Sequence, residues 1–327
     1  MTTQTIDPEL AAASQSFEYF LFHHVFIREV LADGTARVGR FERWPIHADM
    51  LTCTHVSRVV WLKARQVSAS WFWAAYDAWG ILFHRDYLAG MTSAGELEAI
   101  EYVSKVRYIL EHLPYETPVE TTGHQLLLGI PASGGALMAF PSTVKAGRGF
   151  TFNHFLADEA AFHAYAEEAY ASYEAATEYG SIVVVSSAGN SERQVTSDWF
   201  QRLFSGAPNN GFEARFYPWS VRPGRDGEWY EERRRRLSSR PGEFEREYPS
   251  TPQEAFRSML LLRFDAGAID EGLAGARTPL AAVSGLPAKL NTPALSVWAT
   301  PRPGMAYVLG ADGSKGVGAD YADAVVM

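Results

Sequence analysis

The chain has one cysteine, Cys53, in 327 residues. That excludes an internal disulfide and any cysteine-rich zinc centre, and it suits a reducing compartment. There is no uninterrupted apolar run of membrane length and no signal-peptide pattern. The densest segment, Trp71 to Phe83, carries Asp77 and follows a polar loop, so a buried helix is expected there. Basic charge is also short: 29 Lys and Arg stand against 38 Asp and Glu, a formal net charge of −9. A surface coated in nucleic-acid-binding charge is thereby excluded, whereas a small local patch is not. No internal repeat is present. With 47% apolar residues the chain can bury a substantial core, as one large domain with appendages.

An apolar run, Phe150-Thr-Phe-Asn-His-Phe-Leu-Ala157, closes in Asp158-Glu159. A strand ending in two acids sets both carboxylates at its carboxyl edge, where open α/β sheets bind ligands. There the first suits a nucleotide-bound Mg²⁺ and the second an attacking water. The plain alternative is a strand running into an acidic helix N-terminus. Upstream, Val59-Val60-Trp61-Leu62 reads as a short buried strand. The stretch Lys63-Ala64-Arg65-Gln66-Val67-Ser68-Ala69-Ser70 follows, then an aromatic-rich helix from about Trp71. Strand, polar loop and helix are the layout of a phosphate-binding loop, in which backbone N–H groups and a helix N-terminus cradle the anion. The usual pattern has Gly and Lys where this chain has Ser68 and Ala69. Positive charge comes early instead, at Lys63 and Arg65, and Ser70 stands in the place of the Mg²⁺-coordinating hydroxyl.

Lys63-Ala-Arg-Gln66, continued by an apolar residue, a small residue and Ser70, resembles the phosphate loop of the tailed-phage terminase large subunits, motors that pump double-stranded DNA into a procapsid. Other segments resemble that family in its own order. They are Pro141-Ser142-Thr143 with Gly147-Arg148-Gly149, the acidic strand, the run Ser181 to Asn190, Phe216 to Trp219, Phe244 to Phe256, and Ala306 to Asp312. The resemblance spans Phe41 to Met327. It implies an α/β fold, a P-loop NTPase of the additional-strand class with a mainly parallel central sheet flanked by helices, followed by the first strands of an RNase H-like nuclease domain.

The resemblance also implies roles. Lys63, Ala64, Arg65, Gln66, Val67, Ser68, Ala69 and Ser70 would hold the triphosphate of ATP, Ser70 and Asp158 would hold Mg²⁺, and Glu159 would activate water. Ser187 to Asn190 would relay hydrolysis to movement. His47 stands where relatives carry an adenine-reading Gln, and Arg148 is the candidate arginine finger, in cis or across a ring. Asp312 would be the leading ligand of a nuclease site for Mg²⁺ or Mn²⁺, its rival reading being an Asp-Gly turn. The implied partners are double-stranded DNA, a portal protein, a small terminase subunit and further copies of the chain in a ring, with no membrane. The implied location is the host-cell cytoplasm, transiently at the procapsid portal.

Four segments are expected: an N-terminal helical segment over 1–40, the motor over 41–258, an Ala-, Gly- and Pro-rich linker over 259–303, and the start of the nuclease domain over 304–327. Because the chain closes at Met327, the expectation is a truncated nuclease domain that does not cut DNA. Asp7-Pro8 predicts a helix to about Leu31, its aromatic face packing on the core or docking on a partner. Tyr87 to Met91 predicts a strand, and Ser93 to Glu96 a capping box opening a helix to about His112. Strands are expected near Gln125 to Gly129 and Gly135 to Phe140. A helix is expected from Asp158 to about Tyr179, with Phe162, Tyr165, Ala169 and Tyr173 on its buried face. Arg233 to Arg236, interleaved with Glu228, Glu231 and Glu232, reads as an ion-paired, solvated face; the loop-borne Arg222 and Arg225 suit a phosphate better. The two aromatic segments after residue 215 read as packing elements. Two other functions remain open at this point: a helicase-type DNA-dependent ATPase, and a non-enzymatic assembly subunit with a decayed phosphate loop.

Overall fold

A computed structural model describes residues 8–30, 35–121, 125–189, 194–238, 242–257, 275, 302–304, 309–312 and 323–326. The chain divides into two units, Met1–Leu261 and Leu262–Met327. In the first, α1 (Pro8–Gln15) and α2 (Phe17–His23) lead into a hairpin of β1 (Phe26–Val30) and β2 (Ala36–Arg40), then α3 (His47–Thr52). The α/β body follows: β3 (Arg58–Lys63), α4 (Ala69–Phe83), β4 (Leu88–Ser93), α5 (Glu96–Glu111), β5 (Glu120–Thr121), β6 (Leu127–Ile130), β7 (Gly135–Pro141), β8 (His154–Asp158), α6 (Ala166–Ala176), β9 (Ser181–Ser186), α7 (Gln194–Ser205) and β10 (Glu213–Tyr217). Three helices close the unit: α8 (Gly227–Arg236), α9 (Glu243–Glu247) and α10 (Pro252–Arg257). The second unit contributes an antiparallel pair, β11 (Leu309–Asp312) with β12 (Asp323–Val326). No helix among the described residues is long and apolar enough to cross a membrane.

Eight strands form one sheet in the order β10-β3-β9-β8-β4-β7-β6-β5. From β10 to β7 every pairing is parallel, and the last two turn back antiparallel. The strand wedged between β3 and the acidic β8 is β9, which comes later in the sequence, so the additional-strand order is met by Ser181–Ser186. The strands that separate β3 from β8 in sequence (β4 to β7) lie on the far side of β8 instead. Central strands are buried on both faces, which is why Val59 to Leu62 and Ile182 to Val185 read as continuous apolar runs.

Helix α4 is apolar nearly all round because it is covered nearly all round: Phe72, Trp73, Ala74, Ala75, Ala78 and Ile81 are buried. Each large side chain among them contributes roughly 1.5–3 kcal/mol of burial. The N-terminal aromatics cover α4's outer side. Phe17 meets Phe72 edge-on at 5.4 Å, and Trp79 Nε1 donates to the Ala13 carbonyl at 2.9 Å. Core packing is therefore what that aromatic face does.

Several expected boundaries move. The N-terminal helix does not run to Leu31: Ser16 breaks it, its side chain accepting from the Tyr19 N–H, and the chain becomes strand at Phe26. Val25 and Ile27, two residues apart, are buried while Arg28 is exposed, and that period of two wins over the helical one. Ser93 does not cap α5. Strand pairing with Pro141 claims it, and Gly95 stands at the N-cap without a side-chain bond. The strand expected over Phe150 to Ala157 pairs only from His154, where Phe150 packs at a tilt on Phe140 and Phe152 meets Phe140 and Phe155 edge-on. The helix expected from Asp158 begins only at Ala166, after a left-handed Glu159 and a 3₁₀ turn over Ala160–Phe162. Ala169 and Tyr173 are buried as expected, Phe162 is partly buried, and Tyr165 is exposed.

Candidate active site

Register fixes which residues meet at the sheet's carboxyl edge. Leu62 pairs with Ser186 and Val185 with Asp158, so Lys63, Ser187 and Glu159 emerge together on three adjacent strands. Lys63 is buried, a position a lysine tolerates only when its ammonium is paired. Its Nζ donates to Glu159 Oε1 at 2.7 Å. Burial alone would depress the Lys63 pKa, but Glu159 and then Asp158 more than offset it, so the ammonium is held above its ordinary value. Burial likewise pushes Glu159 up, and Lys63 pulls it below the usual glutamate range. Asp158 moves the other way: burial and the Glu159 charge raise its pKa despite Lys63.

The second contact joins helix to strand. Ser70 Oγ, in the first turn of α4, donates to Asp158 Oδ2 at 2.9 Å, and Asp158 Oδ1 accepts from the Glu159 N–H at 3.1 Å. Glu159 sits at φ 54°, ψ 40°, a left-handed conformation that turns its carboxylate back toward Lys63. Glu159 Oε2 is buried and accepts no hydrogen bond, so one carboxylate oxygen is left unsatisfied. Behind this pair, His163 Nε2 donates to the Asp158 carbonyl at 2.8 Å, and burial pushes the ring's pKa down to about 4. Ser186 Oγ accepts from the Ala161 N–H at 3.1 Å, and the Ser187 amide adds a smaller downward pull on the Glu159 pKa.

A cavity of about 860 Å³ opens over this edge, a volume suited to a small ligand. Its floor is the loop from Lys63 to Ser70, and its walls include Phe41, Trp44, Glu159, Arg222 and Tyr248. The loop's amides and the α4 N-terminus supply an anion cradle. A hydroxyl and a carboxylate in contact form a hard-oxygen pair that fits Mg²⁺, which takes one or two carboxylates and completes its shell with water and substrate phosphates. Among the described residues no cluster of three or more His, Cys, Asp or Glu offers an all-protein metal cage.

Other residues singled out in the sequence lie differently. Arg65 lines the cavity, yet its guanidinium pairs with Glu247, so its charge is already engaged. His47 is fully buried with both ring nitrogens in use: Nδ1 accepts from the Trp44 N–H at 2.9 Å, and Nε2 meets Ser68 Oγ at 2.8 Å. Both ring nitrogens are thus engaged within the chain rather than presented to the cavity. Arg148 is exposed in the loop after β7 and does not line the cavity; its amide donates to the Lys145 carbonyl. Asn190 and the side chain of Asp312 lie outside the described residues, although Asp312 closes β11 in register with Asp323. The run Arg233 to Arg236 sits on α8, and Arg236 pairs with Glu232 one turn back.

Two site residues, Glu247 and Tyr248, had no chemical signal of their own in the sequence, whereas Arg222 stood out as a loop-borne arginine suited to phosphate. Glu247 belongs to a segment that packs as expected through Phe244 and Tyr248, yet its carbonyl also accepts from the Arg65 N–H at 2.9 Å. Tyr248 reaches the cavity wall, and Arg222 Nη1 donates to the Gln66 carbonyl at 3.1 Å across 156 residues of chain.

No family model matches the chain, and no curated protein matches it. Among solved structures the chain is similar to the large terminase ATPase domain of Thermus phage P74-26, at 22% identity over 59% of this chain and 87% of that one, TM-score 0.44. It is similar to the large terminase of bacteriophage HK97, at 12% identity over 75% of this chain and 50% of that one, TM-score 0.49. It is also similar to the large terminase of a thermophilic bacteriophage in complex with ADP, at 10% identity over 64% of this chain and 53% of that one, TM-score 0.49. The chain thus spans about half the length of these last two proteins.

Proposed function

We propose that this chain is the ATP-hydrolysing motor of a phage large terminase, moving double-stranded DNA into a procapsid. The observation that carries the reading is the convergence of Lys63, Ser70, Asp158 and Glu159 through contacts of 2.7 and 2.9 Å at the carboxyl edge of an additional-strand sheet. Its support from the sequence is the resemblance, whose motifs keep the family's order from Phe41 onward.

The chemistry follows from these groups. The loop amides and the α4 N-terminus bind the β- and γ-phosphates, and Lys63 exchanges Glu159 for a phosphate oxygen when they arrive. Ser70 and Asp158 would hold the Mg²⁺ of the nucleotide, which would neutralise charge on its phosphates. Glu159, released from Lys63, aligns a water in line with the γ-phosphate and takes its proton at Oε2. Ser187, just past the end of the strand between β3 and β8, would pass the loss of phosphate onward. Arg148, exposed and outside the cavity, remains the candidate finger for a neighbouring copy in a ring. A portal protein, a small terminase subunit and duplex DNA are the partners of this reading. The host cytoplasm is its location, and the β11–β12 pair ending in Asp312 is the leading edge of a nuclease domain.

Phosphate release from ATP by the purified chain tests the proposal. The expected result is turnover that requires Mg²⁺, stops with chelator and rises when linear duplex DNA is added. A chain that neither binds nor hydrolyses ATP with Mg²⁺ and duplex present would contradict it.

A further inference from the structure

The phosphate loop contains no glycine from Lys63 to Ser70, yet two of its residues adopt the left-handed conformation that glycine normally supplies. Gln66 lies at φ 58° and Ser68 at φ 63°, ψ 5°. For a residue with a Cβ this conformation is uphill and persists only where the surroundings impose it. Those surroundings are visible. The Ala64 N–H donates to the Tyr217 carbonyl at 2.8 Å, the Arg65 N–H donates to the Glu247 carbonyl at 2.9 Å, and Arg222 donates to the Gln66 carbonyl. Ser68 is held by His47.

The direction of each bond along this last anchor is set. Trp44 can only donate its N–H to His47 Nδ1, so the ring proton resides on Nε2 and is donated to Ser68 Oγ at 2.8 Å. Ser68 Oγ then donates to the Val67 carbonyl at 2.6 Å. Ser68 is the N-cap residue of α4, but its hydroxyl makes no cap bond; it is engaged with His47 instead. His47 is itself fixed between aromatic rings, stacked on Trp44 at 5.3 Å and on Phe72 at 6.5 Å. Burial, then the Arg43 charge, pushes its pKa down to about 4 against a backbone hydrogen bond to Glu42, so the ring is neutral at neutral pH.

We propose that His47 is a positioning residue that replaces the missing glycine: its hydrogen bond to Ser68 holds the glycine-free loop in its left-handed, phosphate-ready shape before nucleotide arrives. This rests on the nucleotide reading of the same loop. It gives the segment before β3 a role in shaping the phosphate site rather than in reading the base.

The test is a double-mutant cycle in the full chain with His47→Ala, Ser68→Gly and the pair, read by calorimetric titration of ADP with Mg²⁺ and by thermal melting without ligand. His47→Ala is expected to weaken ADP binding about 5- to 30-fold, the population penalty of an unsupported left-handed residue. Ser68→Gly supplies a residue that adopts the conformation unaided, so its own ADP affinity is the reference against which the pair is read. In the Ser68→Gly background the His47→Ala penalty shrinks to within about threefold, from the same relief of strain. Ser68→Ala, which keeps the Cβ and loses the hydroxyl, is expected to bind worse than either wild type or Ser68→Gly. An equal His47→Ala penalty in both backgrounds overturns the proposal, as does unchanged ADP binding in His47→Ala. A selective loss of ADP over GDP preference in that variant also overturns it, in favour of a base contact. If the wild type binds no ADP, the nucleotide reading itself fails. The melting cycle still decides the anchor in that case: Ser68→Gly recovers the His47→Ala loss if the anchor is real and leaves it standing if not.

Discussion

Glu159→Gln is expected to lower ATP turnover by about 10²–10⁴-fold, the usual cost of losing a positioned general base, while Mg²⁺–ADP binds no more weakly than to the wild type. The second half follows from the geometry. Lys63 Nζ donates to Glu159 Oε1 at 2.7 Å, and a phosphate must displace that contact to gain the ammonium. Glutamine keeps the side chain's shape but removes its charge, so the ammonium comes free at smaller cost. The same change leaves Lys63 buried and poorly paired without ligand, so the variant should melt below the wild type and regain more of the difference when ADP is added. Phosphate-release kinetics and calorimetric titration on the two proteins check both halves. Turnover within tenfold of wild type, or binding lost together with turnover, would remove Glu159 from the role of base.

His154→Ala and Asp77→Ala are each expected to destabilise the fold by about 3–5 kcal/mol, the cost of stripping one partner from a fully buried polar pair. Asp77 on α4 has no solvent exposure and accepts twice: from Tyr102 OH of α5 at 2.6 Å, and through Oδ1 with His154 Nδ1 of β8 at 2.6 Å. Trp73 stacks on the His154 ring at 5.4 Å, so the network ties the phosphate-loop helix to the foot of the acidic strand. Removing Asp77 leaves the tyrosine hydroxyl and the imidazole without their acceptor in a dry interior, and burial already drives the Tyr102 pKa well above normal. Tyr102→Phe, which deletes one hydroxyl and leaves the Asp77–His154 contact, should cost less, about 1–2 kcal/mol. Urea unfolding followed by fluorescence, with the m-value unchanged, measures all three. A cost below about 1 kcal/mol for Asp77→Ala would mean that the network is hydrated or that the surrounding aromatics absorb the loss.

Asp77 also shows why parts of this protein are legible in its sequence. A single acid in an apolar 15-residue helix marks that helix as buried and internally satisfied, and the alternation of β3, loop and α4 brackets the phosphate loop. The acidic pair closing β8 is readable for the same reason, because a fully buried parallel strand is an uninterrupted apolar run and its end is sharp. What escapes is whatever depends on residues distant in sequence. Glu247 and Arg222 grip Arg65 and Gln66 from elements placed far along the chain; Arg222 is readable as a loop arginine suited to phosphate, but its partner is not, and Glu247 looks like any helix end. His47 is an intermediate case. Its position beside the site is readable, but its task is not, since the sequence does not show that both nitrogens are consumed by Trp44 and Ser68. The turn after β8 fails in another way: helix signals run unbroken from Asp158, and only the Lys63–Glu159 pair explains why the chain first makes a left-handed residue there.

The central claim is that the Lys63–Ser70 loop receives the phosphates of a magnesium nucleotide and that their arrival frees Glu159 for water. A structure of the chain with ATPγS and Mg²⁺ tests it most directly. The expected result places the β- and γ-phosphates over the α4 N-terminus, the metal on Ser70 and Asp158, and Lys63 Nζ on phosphate with its contact to Glu159 broken. Nucleotide bound elsewhere, or phosphates in the loop while Lys63 still holds Glu159, would contradict the account.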